Sequence, residues 1–249
     1  MFKRLFLLLS VCYLLTAPIV AQVNIEVFLN KKALKKQSLD FSYTAQQGVA
    51  GVENYRLNYN LDTQDPQWRW LIISDFSRLS NPNERNFHDG LVHLRSMYRL
   101  NPVLEWEQFI QQQWSDVQQL SRRFLVATGL RWSFLVNSTG NALMALGSGV
   151  MSEEESYQTG FSAYRVRLTN YINYTQPFNG FSISSTTYFQ PAVDNWSDYR
   201  LLSRNAISYY FNPDMFVRLR YNIDFKGVLV GPTDTYWTSI AGVSLGLQF

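Results

Sequence analysis

Cysteine occurs once in the 249 residues and histidine twice. A lone Cys12 can form no disulfide within the chain and no thiolate metal site. His88 and His93 are too few for a histidine-rich metal cluster. Charge is also scarce, at 16% of residues, and 22 Lys and Arg face 19 Asp and Glu. That balance leaves no basic footprint for nucleic acid. Past the first twenty or so residues no apolar run is long enough for a spanning helix. The glycines of "GSG", Gly147 and Gly149, are followed by no helix, so they make no phosphate loop. No cofactor and no metal is expected.

The start of the chain differs from the rest. "MFKR" is basic, "LFLLLSVCYLLTAPIV" is apolar, and Ala21 precedes Gln22. This is the three-part pattern of a secretory signal peptide, over residues 1–21. Val11 before Cys12 is too large for a lipoprotein site, so Cys12 reads as part of the leader's apolar core. Cleavage takes 22 basic residues to 20, against 19 acidic ones. A lead-in segment, residues 22–37, precedes a domain over 38–249.

What the chain does have is a rhythm of two, and aromatics at 16%. In "MFVRLRYNIDFK", Met215, Val217, Leu219, Tyr221, Ile223 and Phe225 alternate with Phe216, Arg218, Arg220, Asn222, Asp224 and Lys226. Period two is a strand. Its length exceeds the five or six residues, roughly, of a soluble strand and fits the 9–11, roughly, of a tilted membrane-crossing one. The texture recurs, with turn chemistry between runs such as Asn101-Pro102 and Asn212-Pro213. About twelve long strands follow: 38–47, 51–61, 67–77, 88–100, 103–115, 120–134, 141–152, 161–175, 180–190, 198–211, 214–226 and 235–249. One is untidy, since "YRLLSRNAISYYF" sets Ser203 and Asn205 on its apolar face, and a bulge is expected there. Many antiparallel strands in even number, joined by turns and without helices, predict an all-β, closed, up-and-down transmembrane β-barrel of the bacterial outer membrane. Alternating loop lengths agree, with "RLSNPNERNF", "SEEESYQTG" and "VLVGPTD" among the long ones.

The charges set which face meets lipid. An Arg at the bilayer midplane costs roughly 2–4 kcal/mol, so the Arg218 and Arg220 face must point inward. The lumen-lining candidates are Arg56, Arg69, Arg95, Arg99, Glu107, Arg123, Arg131, Arg165, Arg167, Arg200, Arg204, Arg218 and Arg220. Asp40, Asp75, Glu105 and Asp224 offer counter-charges. Trp68, Trp70, Trp106, Trp114, Trp132 and Trp237 are candidates for interfacial aromatic girdles. The final "IAGVSLGLQF" keeps its alternation to the last residue. A barrel's last strand pairs with its first, which explains that. Terminal Phe249 resembles the signal read by the barrel-insertion machinery.

Several stretches resemble one family. "VNIE" at 23–26, "HLRSMYRLN" at 93–101, "WEQFIQQQW" at 106–114, "RRFLVATGLRW" at 122–132 and "DYRLLSRNAISY" at 198–209 are similar to the salt-induced outer-membrane protein family (YdiY-like), a domain family of unknown function. The resemblance implies an outer-membrane barrel and no particular substrate.

The residues that could carry chemistry are few. Barrel phospholipases use a Ser/His pair on one strand face, whereas His93 and Ser96 are three apart and point to opposite faces. No catalytic residue is expected and the protein is not read as an enzyme. "EEE", residues 153–155, reads as a solvated acidic loop at a strand end. Three functional readings remain: a narrow, porin-like passive channel for small solutes, leaning toward anions because Arg dominates the lining; a closed structural or surface-interaction barrel filled by ion pairs; and, last, a lipid-acting barrel enzyme. Outer-membrane lipid and lipopolysaccharide are the expected surroundings.

Overall fold

The computed structural model describes residues 35–46, 52–80, 86–116, 118–136, 142–227 and 236–249. The expected signal peptide and most of the lead-in lie outside these residues. Twelve strands follow in chain order: β1 (Lys35–Gln46), β2 (Val52–Gln64), β3 (Trp68–Ser80), β4 (Phe87–Asn101), β5 (Leu104–Ser115), β6 (Leu120–Val136), β7 (Ala142–Tyr157), β8 (Ser162–Pro177), β9 (Phe181–Pro191), β10 (Tyr199–Tyr210), β11 (Met215–Lys226) and β12 (Tyr236–Gln248). β1 thus opens at Lys35, just inside the lead-in. Each strand pairs antiparallel with its chain neighbour, and β12 closes on β1. Closure satisfies the backbone donors and acceptors that an open edge would leave bare in hydrocarbon.

Closure also orders the chain end. Ser38 faces Gln248 and Phe41 faces Leu245. Beyond the last strand residue, the Phe249 amide donates to the Gln37 carbonyl at 3.0 Å, and the Gln37 amide donates back at 2.8 Å. The Phe249 ring stays exposed on the outside.

The two faces separate as the alternation demands. Leu39, Phe41, Leu57, Ile72, Leu94, Ile110, Leu130, Ile172, Leu219 and Val243 are exposed outward, while Arg, Asp, Glu and Asn side chains on the intervening positions are buried. Trp70, Trp106, Trp132, Tyr209 and Phe211 ring the end that holds the chain terminus; Tyr43, Tyr55, Phe76, Tyr164 and Trp196 ring the far end. Such paired girdles belong at the two membrane interfaces. The side chain of Trp237 lies outside the described residues.

Among the described residues, turns at the terminal end are short. The Asn101 side-chain oxygen accepts the Val103 and Leu104 amides at 3.0 and 2.9 Å. Asn212 does the same for Asp214 and Met215 at 2.9 and 2.8 Å. These are the Asx turns that the Asn-Pro pairs predicted. At the turn after β2, Asp65 accepts the Gln67 and Trp68 amides, which hold its carboxyl below the usual carboxylate range.

Two expectations are corrected. "SEEESYQTG" is not a long loop: β7 runs on through all three glutamates to Tyr157, and a tight turn with Gly160 at φ 84° leads to β8. β10 has no bulge, because its register with β9 and with β11 is unbroken past Ser203 and Asn205. Register shifts fall elsewhere, within the β4–β5, β5–β6 and β6–β7 pairs.

Candidate functional site: the charged interior

Small residues make the interior possible. On β7 the inward positions include Ala145, Gly147 and Gly149, and on β12 they include Gly242, Ser244 and Gly246. Longer side chains from strands on either side meet over these low places. The Tyr171 ring lies where a Cβ on Gly147 would stand, and the Phe216 ring and the Asp40 carboxylate crowd Gly246 in the same way.

The largest charge cluster sits toward the far end. Glu153 takes Arg123 and the Arg167 Nε, each at 2.6 Å, and also pairs with Arg200. Glu155 takes Arg200 at 2.8 Å and the Tyr157 hydroxyl at 3.1 Å. Arg167 continues to Asp198 at 2.9 Å, and Arg165 reaches the same carboxylate at 3.3 Å. Lys226 is buried beside Glu155 and Glu153. Contacts therefore run along the curved inner wall from β6 to β10.

A second cluster centres on Glu107. It accepts from Arg95 at 3.1 Å and from the Tyr171 hydroxyl at 2.6 Å, with Arg131 at 3.6 Å. Arg131 also stands 3.7 Å from Glu105. Arg95 lies over the Phe109 ring at 5.0 Å, and Tyr171 meets Tyr188 at 5.3 Å. Beside them Phe109, Leu125, Ala127 and Met151 form a small apolar core inside the barrel. His93 is fully buried, with its Nδ1 3.0 Å from the Gln111 side-chain oxygen.

A third group joins the closing strands. Asp40 accepts from Arg218 at 2.8 Å and Arg220 at 2.5 Å. Arg56 pairs with Asp75 at 3.2 Å, Arg69 with Asp62 at 2.5 Å, and Arg204 with Asp224.

Of the thirteen lining candidates named from sequence, twelve take part in these clusters. Arg99 does not. Its position is inward in register, but it stands exposed at the terminal rim with its guanidinium on the Pro66 carbonyl at 3.2 Å. The acidic side was under-read. Asp62, Glu153, Glu155 and Asp198 are interior carboxylates, so the "EEE" run is a correction: Glu153 and Glu155 point inward, and only Glu154 faces out, against Arg122. Carboxylates nearly balance guanidiniums, and the expected arginine surplus shrinks accordingly. The signal was present, since strict alternation through 153–155 puts two of three glutamates on the face of Met151.

Burial describes the state of the bore. Arg95, Arg200 and Glu153 are 1% exposed, and Arg167 is 2%. Side chains on a water-filled channel wall would remain accessible. Between Glu107, Tyr171, Tyr188 and Gly149 the free space is about 20 Å³, enough for about one water. A recess of about 320 Å³ opens at the terminal end among Lys36, Thr175, Ser182, Ser184 and Tyr210.

A family model described as a protein of unknown function, DUF481, matches residues 39–244. The chain belongs to the DUF481 family. Among solved structures it is similar to the NanC porin, at 14% identity over 87% of this chain and 99% of that one, with a TM-score of 0.50. The KdgM porin in complex with disordered oligogalacturonate aligns at 9% identity over 86% and 98%, with a TM-score of 0.45. The translocator domain of the autotransporter NalP from Neisseria meningitidis aligns at 12% over 88% and 89%, with a TM-score of 0.44. No curated protein matches. At these identities the likeness is one of fold, and this DUF481 chain has the fold of an outer-membrane barrel.

Proposed function

We propose that this DUF481 protein is a narrow solute channel of the bacterial outer membrane whose bore, in the observed state, is closed by its own paired charges. The observation that carries the proposal is the network of buried ion pairs along the inner wall, joining strands up to three apart, inside a barrel that is apolar outside. A polar, charged interior is what a conducting barrel needs, and the recess near Lys36 supplies an entry at the terminal end. The nearly balanced lining gives weak ion preference, leaning toward anions. The narrower likeness to the salt-induced outer-membrane proteins, the cleaved leader, and the insertion role of Phe249 belong to the same proposal.

Planar-bilayer recording tests it. Tyr171 hydrogen-bonds to Glu107 across three strands, so Tyr171→Ala removes a bridge and a ring from the constriction. The wild-type barrel should show rare, small openings, and Tyr171→Ala should show larger and more frequent ones. Silence from both, with both folded, would instead support a closed structural barrel. Steady large conductance from the wild type would contradict closure.

A further inference from the structure

The outer face of β7 to β10 departs from the apolar rule at mid-height. Ser148, Asn170, Ser185, Thr187, Ser203 and Asn205 all point outward there, on adjoining strands. Ser148 pairs in register with Asn170, Ser185 with Asn205, and Thr187 with Ser203. A thinner polar row, Ser96, Gln108 and Thr128 in register on β4 to β6, runs toward the patch from one side, and there the Trp106 indole donates to Thr128 at 2.8 Å. The wall formed by β1, β2, β11 and β12 is different: Leu39, Phe41, Leu57, Leu219, Tyr221, Val243 and Leu245 cover it.

Much of the patch is bonded to itself. The Ser148 hydroxyl donates to Asn170 at 2.8 Å, and the Ser185 hydroxyl donates to Asn205 at 2.7 Å. The Asn205 amide donates to Ser203 at 3.1 Å and to the Tyr221 carbonyl at 3.0 Å. Thr187 donates to Ser203 at 3.3 Å. Asn170 is the exception. Its side-chain oxygen is used, yet among the described residues its amide nitrogen has no partner. An amide donor facing hydrocarbon without an acceptor is costly. Polar side chains at membrane depth usually meet protein.

We propose that this wall docks against a second copy of the chain. The patch carries no charge, and Arg122 and Glu154 at its far-end edge neutralise each other. Its hydroxyls and amides both donate and accept, so the surface is complementary to itself about a two-fold axis along the membrane normal. Such isologous contact is the commonest way a chain self-associates. In it, the Asn170 amide of one copy finds a hydroxyl or amide oxygen of the other, and no charge is buried unpaired. The inference does not depend on whether the bore conducts.

Disulfide cross-linking in native outer membranes tests it. Ser148→Cys and Thr187→Cys should each give a covalent species of twice the monomer mass under mild oxidation. Leu57→Cys, on the far wall, should give none. A second arm measures self-association of the purified, folded barrel in detergent. About the two-fold axis the Asn170 amide makes two such bonds per dimer, each worth about threefold in a membrane, so Asn170→Leu should weaken dimerisation roughly tenfold. If that variant fails to fold, the cysteine arm decides alone. Absence of the doubled species, equal cross-linking from Leu57→Cys, or an adduct of another mass would overturn the proposal.

Discussion

At the scale of single residues, the position of a carboxylate decides what it is worth. Glu153 and Glu154 are chain neighbours on opposite faces of β7. Glu153 holds Arg123, Arg167 and Arg200 in the interior, whereas Glu154 meets only Arg122 on the outside. Removing one partner from a buried ion pair leaves uncompensated charge and costs about 3–5 kcal/mol. An exposed pair contributes about 0–1 kcal/mol. Glu153→Gln should therefore destabilise the barrel severely in urea unfolding, and Glu154→Gln should barely register. Equal effects would mean that the two side chains do not differ in environment. The inward identity of most arginines was legible from alternation together with the cost of Arg in lipid. What alternation does not reveal is the partner, because Arg200 and Glu153 come from strands three apart and meet only after the wall curves. The acidic triplet was misread for a related reason: a run of like charge looks solvated until three guanidiniums are brought to it.

At the scale of strands and turns, the sequence was most transparent where backbone chemistry is local. The Asn-Pro turns and the long period-two runs appear close to their expected places, because the hydrogen bonds that fix them lie within a few residues. The β7–β8 connection was missed because Ser, Glu and Gln resemble loop residues, while its tightness depends on Gly160. The bulge expected in β10 was likewise a reading of polar residues as irregular backbone, when they are regular backbone with an unusual outer face. Gly180, at φ 82° in the β8–β9 turn, offers a test of how firmly such turns set register. A Cβ there meets no neighbour, so its cost is conformational alone. Gly180→Val should destabilise by about 1–2 kcal/mol in urea unfolding without altering the folded barrel's gel mobility. A loss no larger than that of an exposed strand substitution would show that the left-handed turn is dispensable.

At the scale of the whole molecule, twelve strands leave more interior than side chains of a smaller barrel could fill, yet this one is filled. Filling uses pairs of long charged residues over glycine and alanine on β7 and β12, not an inserted plug among the described residues. A barrel closed in this way is held by interactions that can rearrange without disturbing the hydrogen-bonded wall. Closure of the bore by these pairs is the central claim, and reagent access reads it most directly. Cysteine placed at Met151, inside the apolar core of the bore, is compared with cysteine at Arg99 on the terminal rim, using a charged, water-soluble thiol reagent on the barrel in lipid vesicles. Met151→Cys should remain essentially unlabelled while Arg99→Cys reacts readily, and Tyr171→Ala should speed labelling at 151. Equal labelling rates at the two positions in the otherwise unaltered barrel would contradict closure.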